Sequence, residues 1–405
     1  MIAKTYMIIA ALAAAATAQN ATTPSYNTTF VTGLAQYLGS LGLTSLAGAV
    51  QSSINSTGTI NLLNNINGTG KTLLAPTNTA FTGFKSIYPN ATTNPNLLGD
   101  IISYHLLSGS YPGSVFSTFP NHTVARTYMN DSAVVQLEGS KPQAMVFAIQ
   151  DNKTHILNQN TNVTITNTTS YQNLLIHIVD AVVDLPGNFT NAAATYQLTS
   201  AQTAINSLGL ADSIRLAHGQ TLFVPDNTAF SNANATITQL ITSNVTQAQA
   251  VLSNHIINGS TIYSTELASA HANSIGGQGF TFASNSSGFW VTSGASTAKV
   301  VVADILLDNG VMHIIDSVLF NNNTNLAAAT SAYSTATAAA ATNTAIESGP
   351  IGNNVGNSAS GTSGSSSSSN SKSAGSHAVP IFTGANGIQA LVALVGVFAG
   401  AAILI

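Results

Sequence analysis

Cysteine is absent from all 405 residues. That excludes a disulfide framework, thiol catalysis and cysteine-held metal, so any domain must rest on its own apolar core. Charge is scarce too: Asp, Glu, Lys and Arg make up 5% of the chain, against about a quarter in ordinary globular proteins. The nine Lys and Arg residues nowhere cluster and the net charge is −4, which argues against nucleic-acid binding through a basic footprint. Gly-x-Ser-x-Gly, His-Glu-x-x-His and a phosphate-cradling glycine loop are all missing, and the thirteen acidic residues are scattered. No catalytic site and no cofactor are therefore expected. A metal site is not expected either. His177 and Asp180, like His313 and Asp316, are three apart on expected strands, which puts each pair on opposite faces.

In place of charge the chain has sixteen Asn-x-Ser/Thr acceptors. Among them are Asn27, Asn55, Asn67, Asn90, Asn121, Asn130, Asn152, Asn162, Asn167, Asn188, Asn234, Asn244, Asn258, Asn285 and Asn322. N-glycans there would supply the hydration that charge does not, provided the chain is secreted. Residues 1–18 read as a signal peptide: Lys4, an apolar run from Tyr6 to Ala16, then Ala16-Thr17-Ala18. At the other end, Ser373-Ala374-Gly375, a spacer and the apolar run Ile388–Ile405 form the pattern of a glycosylphosphatidylinositol (GPI) anchor signal. Attachment is expected at Ser373, with Asn370 as the nearest rival and residues 379–405 removed. Residues 326–378 turn to Ala, Ser, Thr, Gly and Asn, which predicts a disordered, glycosylated stalk with little to bury.

Between these ends the chain repeats itself. "TLLAPTNTAF" (Thr72–Phe81) returns as "TLFVPDNTAF" (Thr221–Phe230), with seven of ten positions identical. "SLGL" occurs ahead of each copy, at Ser40–Leu43 and Ser207–Leu210. The first copy carries eighteen more residues before its Pro, rich in Asn, Gly and Ser, and these predict a surface loop. A helix follows each corner, the first with Asn94 as its cap and Pro95 in its first turn. Each half closes on an apolar strand, "NLLIHIVDAVVDLP" and "NGVMHIIDSVLF". Pro76 and Pro225 would end their strands, Thr77 and Asp226 would cap the next turn, and Phe81 and Phe230 would pack inward.

The strand "TLxxPxNTAF", the helix running into Tyr104-His105 and the strand "NGVxHIID", in the same order twice, resemble the fasciclin domain family. The resemblance covers residues 27–186 and 190–320. It implies an α+β fold, two tandem wedge-shaped β-sandwich domains with packed helices, no catalytic activity, and a role in cell adhesion or wall organisation. The expected partners are cell-surface or cell-wall proteins or polysaccharides and, through the lipid anchor, the membrane. The expected location is the cell surface, in the outer leaflet of the plasma membrane, the cell wall or both. Two other readings stay open, a binding module for a small apolar or lipid-like ligand and a wall-remodelling hydrolase.

The resemblance implies that Tyr104-His105 is an adhesive element, matched by Asn254-His255 in the second half. Helical spacing places His105 and His255 on apolar faces, the position of core histidines. Asp304-Ile305 resembles the family's short Asp-Ile adhesion motif and competes with an ordinary edge-strand role. If Tyr104 carries adhesion, it would share an outward patch with Asp100.

Overall fold

The computed structural model describes residues 26–352, apart from 68–69, 91–92, 234–235, 237–238, 241–242 and 286–287. The expected signal peptide, Asn234, Ser373 and the terminal apolar run lie outside the described residues. In the first domain α1 (Thr28–Ser40) starts at Asn27, whose side chain accepts the Phe30 N–H. It stops at Gly42, whose φ of +77° suits glycine, and α2 (Thr44–Ser52) follows.

The extra residues of the first copy are not a surface loop. Ser56 caps α3 (Thr57–Ile66), and Leu62, Leu63 and Ile66 are 3%, 2% and 3% exposed in the domain core. Burying three such side chains contributes about 2 kcal/mol each, enough to hold a helix whose other face is Asn and Thr. Gly58 lies against the backbone of Gly99, so the helices approach where neither carries a Cβ.

Next come β1 (Lys71–Pro76), α4 (Asn78–Ile87), α5 (Pro95–Tyr104) and β2 (Leu106–Ser108), then β3 (Thr123–Arg126), β4 (Ala144–Gln150), β5 (Lys153–Leu157), β6 (Val163–Tyr171) and β7 (Leu174–Val179). The sheet order is β2-β1-β7-β6-β5-β4-β3, with β1 parallel to β7. Its two ends meet: Leu107 bridges Thr127, and Tyr128 N–H donates to Leu106 O at 3.0 Å. The sheet thus curls over a core of Leu74, Tyr104, Met145 and Phe147, while the helices pack on another around Leu73, Phe81 and Ile102.

The second domain repeats the plan. It contains α6 (Phe189–Thr195), α7 (Thr199–Ser207), α8 (Ala211–Arg215), β8 (Gln220–Pro225), α9 (Asn227–Asn232), α10 (Val245–Ser253), β9 (Ile256–Asn258), α11 (Ser264–Leu267), β10 (Phe280–Asn285), β11 (Gly288–Ser293), β12 (Ser296–Leu307) and β13 (Gly310–Ile315). The order is β10-β11-β12-β13-β8-β9, with β8 parallel to β13 as β1 is to β7.

The repeated corner is a strand-to-helix turn in both copies. Thr77 Oγ1 accepts the Ala80 N–H at 3.1 Å and Asp226 Oδ1 the Ala229 N–H at 2.6 Å. Asn78 and Asn227 tie the corner to the preceding helix pair: Asn78 accepts from Ser45 N–H and donates to Gly42 O, and Asn227 accepts from Ser200 N–H and donates to Gln197 O.

The chain after the second domain departs from the expected stalk. Asn325 caps α12 (Leu326–Thr342), and its N–H donates to Gly276 O at 2.7 Å. Alanine has the strongest helix propensity, and its small side chain allows close approach: Ala340 is 6% exposed, with its carbonyl against Gly139 of the first domain. Beyond the helix Glu347 pairs with Arg126, and Ile351, 4% exposed, donates its N–H to Val124 O at 2.8 Å. The segment straps back onto the first domain, so small side chains here did not mean nothing to bury.

Candidate functional site

The two domains and the strap belong to one compact unit, and one apolar cluster joins Val124 and Val146 of the first domain to Tyr263 and Leu306 of the second and to Ile351. Around it the domains exchange buried hydrogen bonds. Gln143 Nε2 donates to Leu307 O at 2.9 Å, Gln136 N–H to Asp308 O at 2.7 Å, and Thr261 Oγ1 to Glu138 Oε2 at 2.7 Å. Arg126, 2% exposed, donates from Nε and Nη2 to the two Glu347 oxygens at 2.9 and 3.2 Å and from Nη1 to Pro142 O.

Asp304 lies at the centre. β12 slips its register against β13 between Val302 and Ile305, and Asp304 adopts φ +58°, a left-handed conformation that Asp tolerates better than most residues. The kink brings its carboxylate to the first domain. Oδ1 accepts the Ser264 N–H at 2.7 Å, and Oδ2 accepts from Ser264 Oγ and from His122 Nδ1, the latter at 2.7 Å. Burial alone would raise this carboxyl, but the His122 and Ser264 hydrogen bonds and the nearby imidazoles hold it below its ordinary value.

Ser264, Asp304 and His122 do not form a nucleophilic relay. In such a relay the hydroxyl sits on the imidazole, whereas Ser264 Oγ is spent on the carboxylate. His122 Nε2 is buried and has no hydrogen-bond partner among the described residues.

Of the residues singled out by sequence, Tyr104, Asp304 and Ile305 converge. All three line one cleft between the domains, with a volume of about 420 Å³. None is an exposed adhesive side chain: they are 2%, 3% and 4% exposed. Tyr104 O–H donates to Ala144 O at 3.0 Å, and Asp100 is also buried, so the expected outward patch of phenol and carboxylate does not exist. Asp304 is not an exposed motif: β11 pairs with β12 only as far as Val300, and beyond it side chains of the first domain cover the open side of the strand.

His105 and His255 are core residues playing one role twice. His105 Nδ1–H donates to Ile101 O at 2.6 Å while Nε2 accepts the Val183 N–H at 3.1 Å. His255 does the same with Val251 O at 2.8 Å and Leu319 N–H at 3.0 Å. Each ring staples a helix end to the chain leaving the closing strand. Asn254, which replaces Tyr104, donates to Asn321 O and Asn323 O, a buried role of its own. His177 and His313 donate Nε2–H to Tyr111 O and Ile262 O. Asp180 and Asp316 are exposed and accept backbone N–H groups instead, and no cluster of three metal-ligating side chains occurs among the described residues.

His122, Arg126, Ser264 and Glu138 were not anticipated. Their partners are far away in sequence, 182 positions for His122 and Asp304, and no local spacing marks them. The acceptor asparagines within the described residues are exposed, save Asn258, which is half-buried. Asn27, Asn188 and Asn244 also cap helices through Oδ1, which leaves Nδ2 for a glycan.

Residues 42–186 and 196–321 match the Fasciclin domain family. The chain belongs to the fasciclin family. Both halves are fasciclin domains, and the α+β tandem expected from the motifs is the fold observed. The chain is 26% identical over 269 residues to a fasciclin-like arabinogalactan protein of Arthroderma benhamiae, a match spanning 62% of this chain and 59% of that relative. It is 27% identical over 136 residues to an uncharacterised protein of Synechocystis sp., spanning 33% of this chain and 98% of that protein. Among solved structures, a FAS1 domain pair from the insect cell adhesion molecule fasciclin I aligns with a TM-score of 0.34 and 14% identity, over 70% of this chain and 98% of that one. No helix among the described residues is long and apolar enough to cross a membrane.

Proposed function

We propose that this fasciclin protein is a non-enzymatic cell-surface glycoprotein serving adhesion or wall organisation, in which the two domains act as one body. The observation that carries the reading is the interlock: a shared apolar cluster, buried inter-domain hydrogen bonds and a C-terminal strap join the pair. Two independent adhesive modules need no such joint. Exposed acceptor asparagines support a secreted, glycosylated surface, and the name of the Arthroderma relative points the same way. The placement of Ser264 Oγ on Asp304 supports a binding rather than a hydrolytic role. The partners are surface or wall proteins or polysaccharides, and a GPI anchor at Ser373 holds the chain in the outer leaflet.

Display of the full chain on non-adherent cells should raise attachment to wall material. Phosphatidylinositol-specific lipase should release both the protein and the attachment. Unchanged attachment with the chain present at the surface would overturn the reading. Persistence of Ile388–Ile405 in the mature protein would overturn the anchor.

A further inference from the structure

The cleft between the domains combines three properties. The first is a pre-oriented acceptor. His122 gives Nδ1–H to the Asp304 carboxylate at 2.7 Å, so a neutral ring leaves Nε2 with a free lone pair. That atom is buried and has no partner among the described residues, and leaving a buried acceptor unpaired is destabilising. The second is aromatic surface. Phe119, 51% exposed, lies 6.2 Å from the His122 ring, and Phe289 and Tyr196 line the same cleft. The third is mostly uncharged polarity, because the amides of Gln150, Asn158 and Gln159 line it beside a single cation, Lys299, while its one carboxylate is already committed to Ser264 and His122.

A lipid-like molecule would want a closed apolar wall, and an anion would want more than one cation. A neutral sugar ring fits the set better. Its C–H faces pack on aromatic rings, and its hydroxyls pair with amides and with an imidazole acceptor. A volume of about 420 Å³ lies in the range of small-ligand sites, roughly 300–1,000 Å³.

We infer that the inter-domain cleft binds a neutral saccharide, with one sugar hydroxyl donating to His122 Nε2 and the ring packed against Phe119. The inference rests on the surface-glycoprotein reading and names its partner chemistry. The sugar has two possible sources. One is a free wall polysaccharide; the other is the chain's own N-glycan on Asn162, an exposed acceptor at the cleft lining.

The test is calorimetric titration of the full chain with glucose oligomers and N-acetylglucosamine oligomers, in its native form and as Asn162→Gln. Binding by the native chain identifies a free saccharide. Binding only after Asn162→Gln identifies the chain's own glycan as the occupant. In either case Phe119→Ala, at an exposed position, should weaken binding about ten-fold. His122→Asn keeps an N–H for Asp304 while removing the Nε2 acceptor, and should weaken it by a similar factor. Lack of binding in both forms overturns the inference, as does binding that neither variant alters. Cell attachment without saccharide binding would overturn it while leaving the surface reading intact.

Discussion

Acidification from pH 7 to pH 4 should remove most of the stability contributed by His105 and His255, and its size follows from their surroundings. Each imidazole is enclosed, with Nδ1–H on a carbonyl one turn back and Nε2 occupied by a backbone N–H. No lone pair is left for a proton, and burial lowers both rings to about 4, against an ordinary value of 6.5. Between those two values the unfolded chain binds more protons than the folded one. Stability is therefore fully present above pH 6.5 and is lost as pH falls toward 4. The gap corresponds to about 3 kcal/mol per histidine, a large part of a typical total of about 5–15 kcal/mol. Asp100 works in the opposite sense: burial and the Asp131 charge raise its carboxyl to about 6, so its protonation favours the folded state as pH falls. Urea unfolding at pH 4–7, with NMR titration of the two rings, measures both effects, and Asp100→Asn should steepen the loss. Stability that is flat from pH 7 to 4.5, or either ring titrating near 6.5, would refute the reasoning.

Leu63→Ala should lower stability by about 3 kcal/mol in urea unfolding, because α3 is core and not loop. A loss below about 1 kcal/mol would return the segment to the surface. Gly99→Ala would drive a Cβ into Ser56 Oγ, so it should cost about 1–3 kcal/mol and lower the melting temperature of the first domain. Tyr104→Ala should lose stability and attachment together, whereas Tyr104→Phe should cost only about 1 kcal/mol for the bond to Ala144 O. Attachment lost at unchanged melting temperature would restore a direct adhesive role. Glu347→Ala leaves the buried Arg126 charge without its carboxylate and should destabilise by about 2–3 kcal/mol, seen as earlier thermal unfolding and faster proteolysis after Thr342.

The corner Pro-x-Asn-Thr-Ala-Phe was legible because its physics is local: strand stop, cap and inward Phe lie within six residues. The paired histidines were legible as core residues from helical spacing alone. Two other segments were misread from composition. α3 hides Leu62, Leu63 and Ile66 among Asn and Gly, too few apolar positions to outweigh the polar count. α12 is Ala-rich and buries itself by close approach rather than by large side chains. Tyr104, Asp304 and Ile305 were singled out, but the cleft they line was not legible, since its key pair comes from different domains and its kinked strand shows no glycine at the kink.

The strap has a mechanical consequence. Tension applied to the chain beyond Gly352 is met first by β3 of the first domain, through the Arg126–Glu347 pair, the Ile351–Val124 hydrogen bond and the buried Ile351 side chain. While these hold, the tether is short and stiff, and both domains share the pull. Once they, the Ala340–Gly139 contact and the helix contacts with the second domain peel, the residues from Asn321 to Gly352 can pay out to at most about 110 Å of extended chain, and the load passes to the second domain alone. Under load the same segment would act as a clamp at low tension and as a shock-absorbing spool at high tension.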